Sequence, residues 1–347
     1  MRVLIFNTGN LADVMQMLPA FTDAKYSHAN MVFDVIVDER WAEVPQWHPA
    51  VGHVFTIPSH SWQRGFISLF ASEDVKRLKK QLRKYSYDWV IDLYGGWSSA
   101  WFARTVQCAC AGFSKVDQKK RSSSVLYNHR QPEAQNLHRV EQIRRLLAHC
   151  LHYAVPKSAN PQNASGQIDV DYGIEPSRFC AQSASQQAIT LMLGAKETRL
   201  RLDVEHAKQL VQRLCAMGRP VRLLWRDRVS GDYLRSLAEG TDAELMPNLK
   251  ISGIASVLMD SCSVVSVDNG LSHMAAALKV PMVRLHSEHT PDCKTAYGGQ
   301  QLVLAQTDNQ CPPAQLLSAL ERLMATMPAV ANELYQKPEA AGVSRVY

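Results

Sequence analysis

A single carboxylate stands in the run FNTGNLADVMQMLPAF, residues 6–21. Asp13 follows a small polar loop, Asn7, Thr8, Gly9 and Asn10, at the point where a helical pattern begins. An acid there meets the positive end of the helix dipole and can cap free N–H groups. The same carboxylate can take a proton from a substrate hydroxyl, because so small a loop lets a ligand approach the backbone. Residue types alone leave both readings open. The loop lacks the GxGxxG spacing of dinucleotide sites, which disfavours a nicotinamide enzyme.

A second constellation lies in SVVSVDNGLSHMAAAL, residues 263–278. A strand pattern ends in Asp268, Asn269 and Gly270, and His273 falls in the first turn of the helix that follows. Helix N-termini with glycine nearby bind phosphate through free N–H groups. Asp268 can accept from a sugar hydroxyl or fix the turn; His273 can donate to a diphosphate oxygen or simply pack. The run DWVIDLYGGWSSA, residues 88–100, repeats the strand, glycine turn and helix, and Gly95 and Gly96 either admit an acceptor or only turn the chain. Asp169 and Asp171 form an Asp-x-Asp pair of the kind that holds a divalent cation in metal-dependent sugar-nucleotide enzymes. It sits at a linker, so no metal is expected.

The basic residues suggest anionic contacts. The stretch 74–86 carries Lys76, Arg77, Lys79, Lys80, Arg83 and Lys84 beside Val75, Leu78, Leu82 and Tyr85 at helical spacing. That polar side is either a solvated face or a contact with an anionic membrane surface. Arg64 and the cluster Lys119, Lys120 and Arg121 can meet phosphates or carboxylates of a substrate. No aromatic-studded basic motif accompanies them, so no nucleic-acid partner is expected. A net charge of +6 and a pI near 8.8 suit an anionic ligand without requiring one.

The eight cysteines include no CxxC pair, and no secretion signal precedes them. Reduced thiols in a cytoplasmic protein follow, rather than a disulfide or zinc framework. No apolar run approaches the roughly 20 residues of a membrane span, so any work at a membrane is done from its surface.

These residues hang on alternating strands and helices. Strand patterns occupy 3–6, 33–39, 53–57 and 88–96, then 188–195, 221–225, 263–267, 280–286 and 301–305. Helical patterns fill 74–86, 203–217, 251–260 and 270–278, and a last helix begins after the prolines at 312–313. This alternation is the signature of doubly wound parallel sheets. The stretch VPKSANPQNASGQ reads as a linker. The expected division is a first domain over 1–165, a linker over 166–186 and a second domain over 187–347. Two such domains bind a ligand in the cleft between them, near the carboxyl ends of their strands.

Several segments resemble the lipopolysaccharide heptosyltransferases of glycosyltransferase family 9. They are MRVLIFNTGNLADVMQMLPAFTDA, DWVIDLYGGWSSA, LYNHR, HRVEQIRRLL and VVSVDNGLSHMAAAL, the last resembling an Asp-Thr-Gly-Leu-Ser-His run. The resemblance implies an α/β GT-B fold, with two Rossmann-like doubly wound domains facing across a cleft. It implies inverting, metal-independent transfer of heptose from an ADP-heptose donor to a Kdo residue of lipid A. No cofactor besides that donor substrate is implied. The place would be the cytoplasmic face of the inner membrane, reached by surface contact.

By the same resemblance Asp13 is the general base. Asp268, Asn269, Gly270 and His273 form the donor site, and Leu249 in LMPNLKISGIASVL lines the adenosine pocket. A donor-binding lysine expected near Leu200 is absent, and Lys196, Arg199 and Arg201 stand nearby. Asn7 and Asn10 replace a lysine and a serine of the family's first loop, and with Arg64 and Arg121 they are the acceptor-side candidates. Asn269 replaces a threonine, and LHSEHTPD stands where the family has Tyr-Gly-Pro-Thr. These departures keep two alternatives open: a family transferase with another donor or acceptor, or a non-catalytic member that binds a glycolipid.

Overall fold

The computed structural model describes residues 1–58, 72–114, 123–132, 134, 136–156, 170–179, 188–194, 202–226, 228–287, 292–306 and 311–325. The first half comprises β1 (Arg2–Asn7), α1 (Leu11–Ser27), β2 (Val32–Asp38), β3 (Val51–Ile57), α2 (Glu73–Leu82), β4 (Trp89–Asp92), α3 (Trp97–Arg104), β5 (Ala109–Ser114), β6 (His129–Pro132) and α4 (Arg139–Leu151). The second comprises β7 (Ala188–Met192), α5 (Val204–Ala216), β8 (Val221–Leu223), α6 (Arg228–Ala238), β9 (Glu244–Leu245) and α7 (Ile251–Met259). It continues through β10 (Ser261–Val267), α8 (Gly270–Ala277), β11 (Met282–Ser287), β12 (Gln301–Gln306) and α9 (Pro313–Ala325).

Each half is one six-stranded parallel sheet. The orders are β3-β2-β1-β4-β5-β6 and β12-β11-β10-β7-β8-β9. The two are the same topology: in each, the chain starts in the middle, winds to one edge, then crosses back and winds to the other. The reversal falls between β1 and β4 in one sheet and between β7 and β10 in the other. A doubly wound sheet opens a crevice at that switch point, outside the carboxyl ends of the strands.

Both faces of both sheets are covered, so the central strands read as unbroken apolar runs. In β1, Val3 and Ile5 turn to α1 and α4, while Leu4 and Phe6 turn to α2 and α3. The far face of the second sheet packs Ile189 and Leu191 on α5, α6 and α9. The inner faces of the two sheets share one apolar cluster, running from Val3 and Met15 through Leu271 and Met274 to Val264. The halves therefore meet through packed side chains of α1, α7 and α8.

The expected linker divides. Residues 157–169 and 180–187 lie outside the described residues. Residues 170–179 are packed rather than loose, with Val170, Tyr172, Ile174 and Phe179 buried in the apolar cluster that both halves share. Tyr172 also donates from its hydroxyl to Tyr297 O at 2.8 Å, in the second half. The apolar residues alternate there at strand spacing, but the flanking polar sequence masks the pattern.

Candidate functional site

β1 delivers Asn7 to the first switch point, where the side chain shapes the loop. Its Nδ2 donates to Asp13 O at 2.9 Å, and its Oδ1 accepts from Gly9 N at 3.3 Å. Asn10 caps α1 by accepting from Asp13 N at 3.1 Å; Asp13 Oδ2 in turn accepts from Asn10 N at 2.8 Å. This reciprocal box occupies one carboxylate oxygen. A Cβ on Gly9 would collide with the Asp13 carboxylate, so only glycine fits beside it. The half-buried Asp13 lines a cavity of about 590 Å³ with Asn7, Asn10, Gln16, Tyr94 and Arg139. One residue thus both closes the capping box and lines the cavity.

β4 shapes the opposite wall. Its last residue, Asp92, is fully buried and accepts from Tyr94 N, Gly95 N, Ser99 Oγ and Tyr127 OH at 2.6–3.0 Å. Burial pushes its carboxyl above the usual carboxylate range, and those donors pull it back. The turn it fixes presents Tyr94 to the cavity, 47% exposed. Arg139 donates to Leu93 O at 3.0 Å, and its guanidinium carbon lies 4.3 Å from the centre of the Phe113 ring.

In the second sheet, β10 delivers Asp268, whose carboxylate is already engaged. Arg284 Nη1 donates to it at 2.7 Å, and His286 Nδ1 lies 2.9 Å away. Both partners come from the adjacent β11. Asn269 caps α8: its Oδ1 accepts from Leu271 N at 2.8 Å and Ser272 N at 3.2 Å, and its Nδ2 donates to Gly194 O at 3.1 Å. Two of the helix's first N–H groups are therefore taken by the chain itself.

His273 is 3% exposed, and burial lowers its pKa to about 3, with His138 and Arg284 acting in the same sense. The ring is neutral at physiological pH and serves as a hydrogen-bonding group, not a cation. Its neighbour His138 spans the two halves. Nδ1 accepts from Val140 N at 3.2 Å, so Nε2 carries the proton and donates to Thr295 O at 2.9 Å.

Asp268, Gly270 and His273 line a second cavity of about 350 Å³ together with Trp41, Arg226 and Lys294. Asn10, Ala12 and Lys294 line both cavities, so the carboxylate of the first loop and the turn at 268–270 open onto adjoining space. Leu249 lies in a third cavity of about 350 Å³, which borders the second at Arg226. Among the described residues four buried side-chain atoms lack a hydrogen-bond partner: Thr8 Oγ1, Trp41 Nε1, Arg226 Nε and His273 Nδ1. Trp41, Arg226 and His273 all line the second cavity.

Arg64, Lys119, Lys120, Arg121, Lys196, Arg199, Leu200, Arg201 and Asp169 fall outside the described residues. Asp171 accepts from Gly173 N at 2.8 Å. Among the described residues no group of three or more His, Cys, Asp or Glu stands close enough to hold a metal ion. Sequence reasoning did not single out Asp92, Trp41, Arg139, Arg226 or Lys294 as site residues. The signal available for Arg226 and Asp92 was their place at the end of an apolar strand run; the others gave none.

Residues 75–322 match the family profile described as glycosyltransferase family 9 (heptosyltransferase). The chain is 32% identical over 315 residues to lipopolysaccharide heptosyltransferase 1 of Pseudomonas aeruginosa, covering 90% of this chain and 86% of that one. It is 31% identical over 308 residues to the Escherichia coli K12 protein of the same name, covering 87% and 93%. The structure of the E. coli heptosyltransferase WaaC with ADP superimposes with a TM-score of 0.81 at 29% identity, covering 93% of this chain and all of that one. The same enzyme with ADP-2-deoxy-2-fluoro heptose gives 0.78 at 30% identity, covering 93% and 99%. The two matched parallel sheets are those of a GT-B fold. The chain belongs to glycosyltransferase family 9, the heptosyltransferases.

Proposed function

We propose that this glycosyltransferase moves heptose from ADP-L-glycero-D-manno-heptose to a Kdo residue of lipid A in lipopolysaccharide inner-core synthesis. The observation that carries the reading is the joining of two cavities at Asn10, Ala12 and Lys294. Asp13 stands on one; Gly270 and His273 stand on the other. The similarity to lipopolysaccharide heptosyltransferases, two structures of which hold ADP and a fluorinated ADP-heptose, supports it.

The donor's diphosphate lies in the cavity of Gly270 and His273, near the positive end of α8. Its adenosine extends past Arg226 toward Leu249. The anionic acceptor enters the larger cavity, where Arg139 and Lys294 offer positive charge. Asp13 removes the proton from the attacking hydroxyl, which bonds to the anomeric carbon as the ADP leaves from the opposite face. One displacement inverts the configuration. General-base help of this kind contributes about 10²–10⁴-fold. The diphosphate's charge is met by side chains and the helix terminus, so no metal enters the step.

No helix among the described residues is long and apolar enough to cross a membrane. The protein works at the cytoplasmic face of the inner membrane by surface contact. The exposed Lys76, Arg77 and Lys80 of α2, whose Val75, Leu78 and Leu82 are buried, form the basic face for that contact. Binding to anionic liposomes that disappears at high salt supports this, and no binding even at low salt contradicts it.

The whole reading is tested by incubating the purified protein with ADP-heptose and Kdo-lipid A and weighing the products by mass spectrometry. Appearance of heptosylated acceptor and ADP is expected. Product from another sugar nucleotide but none from ADP-heptose would overturn the donor assignment.

A further inference from the structure

The cavity beside Gly270 holds two buried N–H donors with nothing to donate to. Arg226 Nε and Trp41 Nε1 are shut off from solvent, and neither has a hydrogen-bond partner among the described residues. Buried polar groups are nearly always paired, so two orphans on one cavity call for a ligand that supplies acceptors.

Among the described residues no carboxylate lies within ion-pair distance of Arg226. Burial and the nearby Arg40 both lower its proton affinity, and Glu43 offsets this in part. Glu43 already accepts from Ser252 N at 3.2 Å and Ser252 Oγ at 3.4 Å. Arg40 is committed to Asp38 at 2.7 Å. The Arg226 guanidinium carbon lies 5.2 Å from the centre of the Trp41 ring. Trp41 comes from a short 3-10 turn, Glu39–Trp41, at the end of β2, and Arg226 follows β8; the pair therefore joins the two halves over the cleft.

Position selects the part of the ligand. Arg226 lines both the cavity of Gly270 and the cavity of Leu249, so it stands between the sugar end and the adenosine end of the donor. Asn269 has already used the N–H groups of Leu271 and Ser272. Positive charge for an anion there must come largely from side chains.

We propose that Arg226 and Trp41 hold the diphosphate of the nucleoside-diphosphate donor, one from each half of the molecule. Resting on the heptose-transfer reading, this assigns the diphosphate contacts within it. A guanidinium fork matches phosphate oxygens, and the indole N–H adds a neutral donor from the opposing sheet. Donor binding then draws the two halves together, because its diphosphate satisfies one group on each.

The test is calorimetry of wild type, R226Q, R226K and W41F with ADP, AMP and adenosine, beside melting curves without ligand. R226Q is expected to weaken ADP by about tenfold to a hundredfold, leave adenosine within about threefold and erase the preference for ADP over AMP. R226K, which keeps the charge but not the fork, recovers part of that preference. W41F keeps the ring and loses the N–H; it is expected to weaken ADP about three- to tenfold with adenosine unchanged. Unaltered ADP-over-AMP preference in R226Q and W41F overturns the assignment, as does equal weakening of all three ligands. Should R226Q fail to fold, R226K and W41F decide by the same ratio. Wild-type protein that binds neither ADP nor AMP overturns the transfer reading and this assignment together. ADP binding with an unchanged ratio in the variants overturns this assignment alone.

Discussion

Gly270, the first residue of α8, packs directly against Leu11, the first residue of α1. A Cβ on Gly270 would stand 3.1 Å from Leu11 Cβ. Two helix N-termini, one from each sheet's switch point, therefore abut, and the contact sets the spacing between Asp13 and the turn at 268–270. An ordinary glycine in a first turn would gain about 0.5–1 kcal/mol from alanine. Here overpacking of about 1–3 kcal/mol outweighs that gain. G270A is expected to lower the urea midpoint and weaken ADP binding; a more stable G270A would contradict the contact.

Asp268 and Asp13 are both acids at strand–helix turns, yet they differ in what depends on them. Asp268 and Arg284 are 3% and 4% exposed at the side chain and paired at 2.7 Å. Removing one partner of such a pair leaves a buried charge, at a cost of about 3–5 kcal/mol. D268A is therefore expected to lose much of its stability to urea. D13A, which keeps the Asn10 cap and loses only the reciprocal bond of the box, should lose about 0.5–1.5 kcal/mol. Equal losses in the two variants would reject this division of labour.

Two buried histidines and the half-buried His138 tie stability to pH. Burial lowers His48 and His138 to about 4 and His273 to about 3. In the unfolded chain each titrates near 6.5, so below that pH the unfolded state binds more protons than the fold. Stability is then complete above pH about 6.5 and declines as pH falls toward 4, by about 1.4 kcal/mol per pH unit for each histidine that remains neutral. Melting curves at pH 7.5, 6.0 and 5.0 check the sign. H48Q, which removes one such group, should flatten the decline; an unchanged slope would count against it.

Arg139 gives the cavity of Asp13 a cation that is held in place by Leu93 O and the Phe113 ring. R139Q is expected to raise KM for the Kdo-bearing acceptor about tenfold while leaving KM for the donor nearly unchanged. Steady-state kinetics with each substrate varied in turn measures the split. An equal effect on both substrates would point to a general disturbance of the cleft.

What could be read in the sequence was whatever local pattern encodes. The runs at 3–6, 33–39, 188–195 and 263–267 became β1, β2, β7 and β10 because strands buried on both faces are apolar throughout. Asp13 was legible as a cap because an acid in a first turn is a local signal, whereas Asn10, its partner in the capping box, was read only as part of a small polar loop. By contrast β6, His129–Pro132, is a polar edge strand that carries no apolar signal, and β9 is two residues long. Arg226 and Trp41 lie far apart in sequence and acquire meaning only when β2 and β8 end at one cleft. The same holds for His138, whose partner Thr295 lies 157 residues away. The engagement of Asp268 by Arg284 was equally hidden, since the pairing depends on β10 and β11 lying side by side.

The central claim, that Asp13 is the base of the transfer, is tested most directly by measuring turnover and ADP affinity together in D13A. The expected result is ADP affinity within about threefold of wild type and heptose transfer reduced about 10²–10⁴-fold. Transfer at the wild-type rate by D13A would contradict the account.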